Sequence, residues 1–175
     1  MMIDSDEIKE FHCPRYNEIP NIDLYMEQVI TYIEDSLKVL YCDENEKIIT
    51  SAMINNYVKQ KIVSPPKKKH YNKNHIAYLI VVCILKKILS LPEICQLINM
   101  QIENYEIEEA YNYFVTELEN ALTFTFSEQK EAMPNFAKKI TLQTKAVRST
   151  VLSCANKIYI EKLLKYSNED KNKNV

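Results

Sequence analysis

A chain of 175 residues without a single glycine has a short menu of folds. Glycine is the residue that enters left-handed backbone without steric cost. Its absence disfavours hairpin-rich sheets and glycine-built phosphate loops, and it favours helices. The expected class is all-α. Apolar residues make up 46% of the chain, which is enough for a sizeable core and too much for a disordered segment. The length suits one domain of ordinary size or two small ones. Arginine occurs only twice, while Lys, Asn, Ile and Tyr are abundant. We read that bias as base composition, so Lys in place of Arg at any one site carries little meaning.

A formal net charge of −2 hides a strong segregation. Residues 1–46 carry twelve acids against three bases, and residues 47–92 carry nine lysines and no acid. Residues 93–120 carry seven acids and no Lys or Arg, and residues 121–175 carry five acids and ten bases. A solvated basic face would account for one lysine run. The exclusion of every acid from a 46-residue block instead reads as a footprint for a polyanion.

Hydrophobic periodicity places the helices. Residues 21–40 carry Ile22, Met26, Val29, Ile33, Leu37 and Leu40 at spacings of three and four, an amphipathic helix. Thr50 or Ser51 caps a short helix with Met53, Ile54, Tyr57 and Val58 inward, ended by Pro65. Residues 64–71 form a basic turn. Asn72 caps a helix over 73–89 that is apolar nearly all round, the mark of a buried central helix. "SLPE" at 90–93 is a capping box with Pro92 in the first turn, and Ile94, Leu97 and Ile98 face inward. A second acidic helix spans 105–122, and "TFTF" follows as an extended link. A long helix from Asn135 to Tyr166 repeats Ile140, Val147 and Cys154 every seven residues, with Val151 and Ile158 as companions. That row suits either a core-packed helix or a seam between two subunits. The first twenty residues read as irregular, and the tail from Ser167 reads as frayed.

Enzyme signatures are missing: no GxSxG, no P-loop and no HExxH. His12 and Cys13 offer two metal ligands that nothing nearby completes, and His70 and His75 flank a helix start. The five cysteines are odd in number and widely spaced, with no CxxC, so reduced and mostly buried thiols are expected. The acidic N-terminus lacks a signal pattern, and the longest apolar run, Ala77 to Leu85, is too short to span a bilayer. The expectation is a cytoplasmic, non-catalytic protein with no cofactor and no metal.

Residues 50–98 form one unit: short helix, basic turn, long buried helix, capped fourth helix. A helix of this size fits the major groove of duplex DNA. Asn55, Asn56, Lys59 and Gln60 lie outside its apolar stripe, and Asn and Gln can pair with adenine while Lys reaches guanine or phosphate. Lys67, Lys68, Lys69 and His70 on the turn would lie against the neighbouring backbone or minor groove.

The stretch "TSAMINNYVKQKIVSPPKKKHYNKNHIAYLIVVCILKKILSLPEICQLI" resembles the winged helix-turn-helix of the MerR family. Ile54, Tyr57 and Ile62 match that family's buried leucine, second aromatic and pre-wing leucine. Lys69 and Tyr71 match the wing's Arg-x-Tyr, which implies a DNA-binding role for Tyr71 as well, and "LSLPEICQLI" matches its fourth helix. With "NIDLYMEQVITYI" and "NFAKKIT" added, most of the chain is similar to the YkrK-like family. That likeness implies a MerR-like DNA-binding region but no established function. Asn55 stands where the broader family has an arginine, Lys61 replaces a glycine, and the turn is shorter. The C-terminal part lacks the cysteine pair of metal-sensing members.

The resemblance implies a MerR-like winged helix-turn-helix with an added N-terminal helix over 1–100, and a C-terminal helical region over 101–175. The expected partners are double-stranded DNA and a second copy paired through the C-terminal helix. Tyr57 would support the recognition helix or touch the backbone. A small-molecule effector would be lined by Tyr111, Tyr113 and Phe114. The alternative is a helical protein-interaction module working through the acidic helices at 21–40 and 105–122. Peripheral membrane binding fits poorly, because no exposed apolar face accompanies the lysines.

Overall fold

The computed structural model describes residues 6–43, 45–127, 133–134 and 136–173, with side chains described as far as Asn168. The chain is mostly helical, as the missing glycine led one to expect. After a four-residue helix α1 (Asp6–Lys9) and a 3-10 turn (Tyr16–Glu18) come strand β1 (Leu24–Tyr25) and helix α2 (Met26–Leu37). A second 3-10 turn (Lys38–Leu40) leads to α3 (Ser51–Lys59) and strand β2 (His70–Tyr71). Helices α4 (Lys73–Leu85), α5 (Leu91–Ile102), α6 (Ile107–Phe126) and α7 (Leu142–Lys173) complete the order.

The caps fall where the sequence placed them. The Thr50 hydroxyl accepts from the Met53 N–H at 3.2 Å, and the Asn72 side chain accepts from the His75 N–H at 3.2 Å. The Glu93 carboxylate accepts from both the N–H and the hydroxyl of Ser90, at 2.7 and 2.6 Å. Helix α4 is buried on nearly every side, with Ile76, Leu79, Ile80, Cys83, Ile84 and Leu85 in the core. It packs against α2, α6 and α7. One contiguous cluster joins these residues to Ile94 and Ile98 of α5, Tyr111 and Phe114 of α6, and Val147 and Val151 of α7. The core therefore runs unbroken across residue 100, which itself lies within α5.

Several expectations are corrected. Leu24 and Tyr25 do not begin the α2 helix; they pair antiparallel with Tyr71 and His70. Ile22, expected inward, is 69% exposed. "TFTF" continues α6, because Phe126 is drawn into the core and stacks edge-on against Tyr159 of α7. The long helix starts at Leu142, later than expected, and leaves Ile140 exposed. Asn135, the expected start, lies outside the described residues, as do Met1 to Ser5. Helix α7 runs to Lys173, so most of the expected frayed tail is helical. The repeating row Val147, Val151, Cys154 and Ile158 is fully packed within the chain's own core. Core packing, not a free subunit seam, is what that periodicity records.

Polar contacts to α6 add to the burial of Ile8, Phe11, Cys13 and Ile19 in holding the N-terminal segment. Arg15 makes a two-pronged ion pair with Glu119, at 2.7 and 2.5 Å, and the Cys13 N–H donates to Glu119 at 2.8 Å. The Tyr111 hydroxyl donates to the Pro14 carbonyl at 2.8 Å. Between α6 and α7, Arg148 reaches the wholly buried Glu117 at 2.9 Å and also donates to the Pro134 carbonyl at 2.7 Å. Glu117 in turn accepts from the Phe136 N–H at 3.2 Å. These two carboxylates belong to the second acidic helix, α6. They are internal partners of the chain's only two arginines, whereas Glu108 and Glu109 remain exposed.

Candidate nucleic-acid interface

Helix α3 presents two distinct faces. Ile54 and Tyr57 are buried, while Asn55, Asn56, Lys59 and Gln60 are exposed side by side on the opposite face. The helix ends in a Schellman motif: the Ile62 N–H donates to the Tyr57 carbonyl and the Lys61 N–H to the Val58 carbonyl, both at 3.0 Å. That motif needs a left-handed residue, and Lys61 supplies it at φ 59°. Ile62 and Val63 then turn inward.

The basic turn is a tight hairpin. Lys67 and His70 exchange two backbone hydrogen bonds, 3.2 Å from the Lys67 N–H and 2.9 Å from the His70 N–H. Lys68 and Lys69 form the loop at φ 50° and 66°. Positive φ at both central residues is the type I′ geometry. A chain with no glycine thus builds this turn from lysine, against the sequence-based expectation. The loop's other fixed point is His75, which is buried. Its Nδ1 lies 3.0 Å from the Asn72 N–H that it accepts, and its Nε2 lies 3.1 Å from the Ser64 hydroxyl. Both ends of the 64–72 loop are tied to this one ring. Burial holds the His75 pKa below its ordinary value.

Lys67, Lys68 and Lys69 are exposed. Among the described residues none of them, nor Lys59 or Lys61, forms an ion pair with a carboxylate. Lys47 is likewise exposed and without an ion pair among the described residues, whereas the other lysines of the acid-free block are engaged. Lys87 meets Glu161 at 3.2 Å, Lys86 donates to the Ile48 carbonyl, and Lys73 lies 5.1 Å over the Tyr16 ring. The basic block therefore divides into an internal set and an unpaired set made of Lys47 and the lysines at α3 and the hairpin.

Two residues expected at a DNA surface are inside. Tyr57 is 3% exposed, and burial pushes its phenol up to about 12. Tyr71 is 2% exposed and packs edge-on against the His75 ring. Both support the α3 and hairpin surface from beneath. His70 is partly exposed and stacks on Tyr25 of β1, with ring centroids 4.4 Å apart. The sequence reading missed Tyr25, because a two-residue strand is too short for alternation to show.

Of the residues named for an effector, Tyr111 and Phe114 line an apolar cleft between α4, α5, α6 and α7. It holds about 520 Å³ of empty space counted out to its open mouth. Tyr113 borders a neighbouring cleft instead, and its buried hydroxyl has no hydrogen-bond partner among the described residues. All five cysteines are free. Cys13, Cys83 and Cys154 are buried, which pushes each thiol up to about 12. Among the described residues no group of His, Cys, Asp or Glu is arranged to hold a metal ion, and no helix is long and apolar enough to cross a membrane.

Compared with known families, residues 14–114 match the model of DUF1836, a domain of unknown function. The match takes in the strap along α6, the α3 face, the hairpin, α4 and α5. No curated protein and no solved structure matches the chain.

Proposed function

Because the chain belongs to the DUF1836 family, whose description assigns no function, we propose from its own geometry that it is a non-catalytic regulator binding duplex DNA through a MerR-like winged helix-turn-helix. One observation carries the reading: a core-anchored helix offers Asn55, Asn56, Lys59 and Gln60 to solvent and is followed by a hydrogen-bonded hairpin whose three lysines have no carboxylate partner among the described residues. Asn55, Asn56 and Lys59 read base edges in the major groove, with Gln60 beside them. Lys67, Lys68 and Lys69 neutralise phosphates and fix the register, with His70 beside them. Tyr57 and Tyr71 hold this surface in place from the core.

A homodimer on a two-fold operator belongs to the same proposal. The repeating apolar row of α7 is already used internally, so pairing would fall to its outer part, where Ile160 and Leu164 are exposed. A helical interaction module is the second reading. It is favoured by Glu27 and Asp35 of α2, whose carboxylates form no ion pair among the described residues. It is weakened by the internal use of Glu117 and Glu119.

Fluorescence anisotropy with a duplex from the protein's own upstream region and a scrambled duplex, across salt, tests the proposal. The parent should prefer the first duplex and retain it near physiological salt. Lys67→Ala/Lys68→Ala/Lys69→Ala should weaken binding to both duplexes and lower the salt slope by about 1 for each phosphate left without its lysine. Unchanged affinity and slope in the triple variant would sink the proposal. Weak binding without sequence preference, abolished by moderate salt, would favour the interaction module.

A further inference from the structure

Tyr25 is a large aromatic residue that the fold leaves 55% exposed. It is nevertheless not free to move. Its backbone pairs antiparallel with His70, and its N–H donates to the Gln28 side chain at 2.9 Å at the start of α2. Its ring lies 4.4 Å from the imidazole of His70 at an interplanar angle of 41°. His70 is itself fixed, closing the lysine turn through its backbone and placing Nδ1 2.9 Å from the Lys68 carbonyl. The result is a two-ring shelf, held rigid and facing solvent, at the foot of the hairpin whose tip is Lys68 and Lys69. A rigid, partly exposed aromatic ring has little conformational entropy left to lose on binding, and its flat apolar face is suited to a sugar or a base. Asp23 and Glu27 flank Tyr25 in sequence and are exposed. Close phosphate approach on that side is therefore unfavourable, and what remains is an uncharged contact through the ring face.

We infer that the Tyr25–His70 stack is a second nucleic-acid contact, packing against the deoxyribose or an unstacked base at the groove edge while the adjoining lysines hold the phosphates. This rests on the DNA-binding reading above and extends it to the N-terminal strand, to which no binding role has been given. The lysine tip supplies salt-dependent attraction, and the shelf supplies a contact that salt does not screen.

The test is anisotropy over a salt series with the same duplex pair, for the parent, Tyr25→Ala, Tyr25→Phe and the triple lysine variant. Tyr25→Ala should bind about tenfold or more weakly with the parent's salt slope intact, as expected when one stacked ring is removed. Tyr25→Phe should bind like the parent. Tyr25→Leu serves as a second probe should the alanine variant fold poorly: it covers His70 without offering a flat ring, and it should show the same weakening. Parent-like affinity in Tyr25→Ala, or a fall in its salt slope matching the lysine variant, would overturn the inference; the latter would mean that Tyr25 merely props up the hairpin. Either result leaves the DNA-binding reading standing so long as the lysine variant falls in affinity and slope. If the lysine variant is unaffected, both fail.

Discussion

Lys61, Lys68 and Lys69 occupy backbone that most proteins give to glycine or asparagine. A side chain in the left-handed region costs on the order of 1 kcal/mol, because Cβ crowds the following carbonyl. Lys61→Gly should therefore stabilise the chain by about 0.5–1 kcal/mol after the extra freedom of glycine in the unfolded chain is subtracted, whereas Lys61→Ala should bring no gain. Urea unfolding of the two variants checks this. His75 invites a pH experiment. Its folded-state pKa lies below the ordinary 6.5, so the unfolded chain takes up the proton first as pH falls. Its contribution to stability is fully present above 6.5 and declines from there down to the folded value. His75→Gln should flatten that part of a stability-against-pH curve measured between about pH 7.5 and 5.5. At this scale the sequence was legible wherever partners lie within a few residues. Thr50, Asn72 and Ser90 with Glu93 declared their caps because each bonds to a group three positions on. Tyr25 and His70 did not declare their pairing, because it joins two short strands that α2 and α3 separate in the chain.

Among the elements, α2 to α6 could be read from apolar spacing to within about five residues, because α2, α3, α5 and α6 each present one buried face and α4 is apolar nearly all round. The departures lie where another force decides. Helix α6 outlasts its expected end because Phe126 gains a place in the core. Helix α7 starts late, where Thr141 and Thr144 form the first turn, the Thr144 N–H donating to the Thr141 hydroxyl at 3.2 Å. The α6–α7 pair also contains a buried ion pair that amino-acid spacing could not reveal, since either arginine could have faced water. Removing one partner of such a pair leaves a charge with no solvent and no counter-charge. Arg148→Ala should destabilise the protein by about 3 kcal/mol or more, while Glu117→Met with Arg148→Met should recover most of that stability, read from denaturation midpoints at constant slope. Recovery would identify the pair as replaceable packing, and the hydrogen bonds from Arg148 to Pro134 and from Phe136 to Glu117 account for any shortfall.

Across the whole molecule, charge segregation and core continuity pull in different directions. The acid-free block from 47 to 92 looks like a separable module in the sequence. In three dimensions its central helix α4 lies against α6 and α7, and Leu85 and Ile98 join the same cluster as Phe114 and Val147. The family match stops at residue 114, yet α6 continues past that point and α7 covers what α6 and α4 would otherwise expose. Charge could be read because it is a property of composition. The shared core could not, because which apolar face meets which is decided only when the chain is folded. In terms of inheritance, the hairpin and its helix cannot easily be exchanged between genes. A recombination event that moved residues 1–100 alone would carry a bare apolar flank into its new setting. Drift in α7 is likewise constrained by the surface it covers, however far it lies from the lysines.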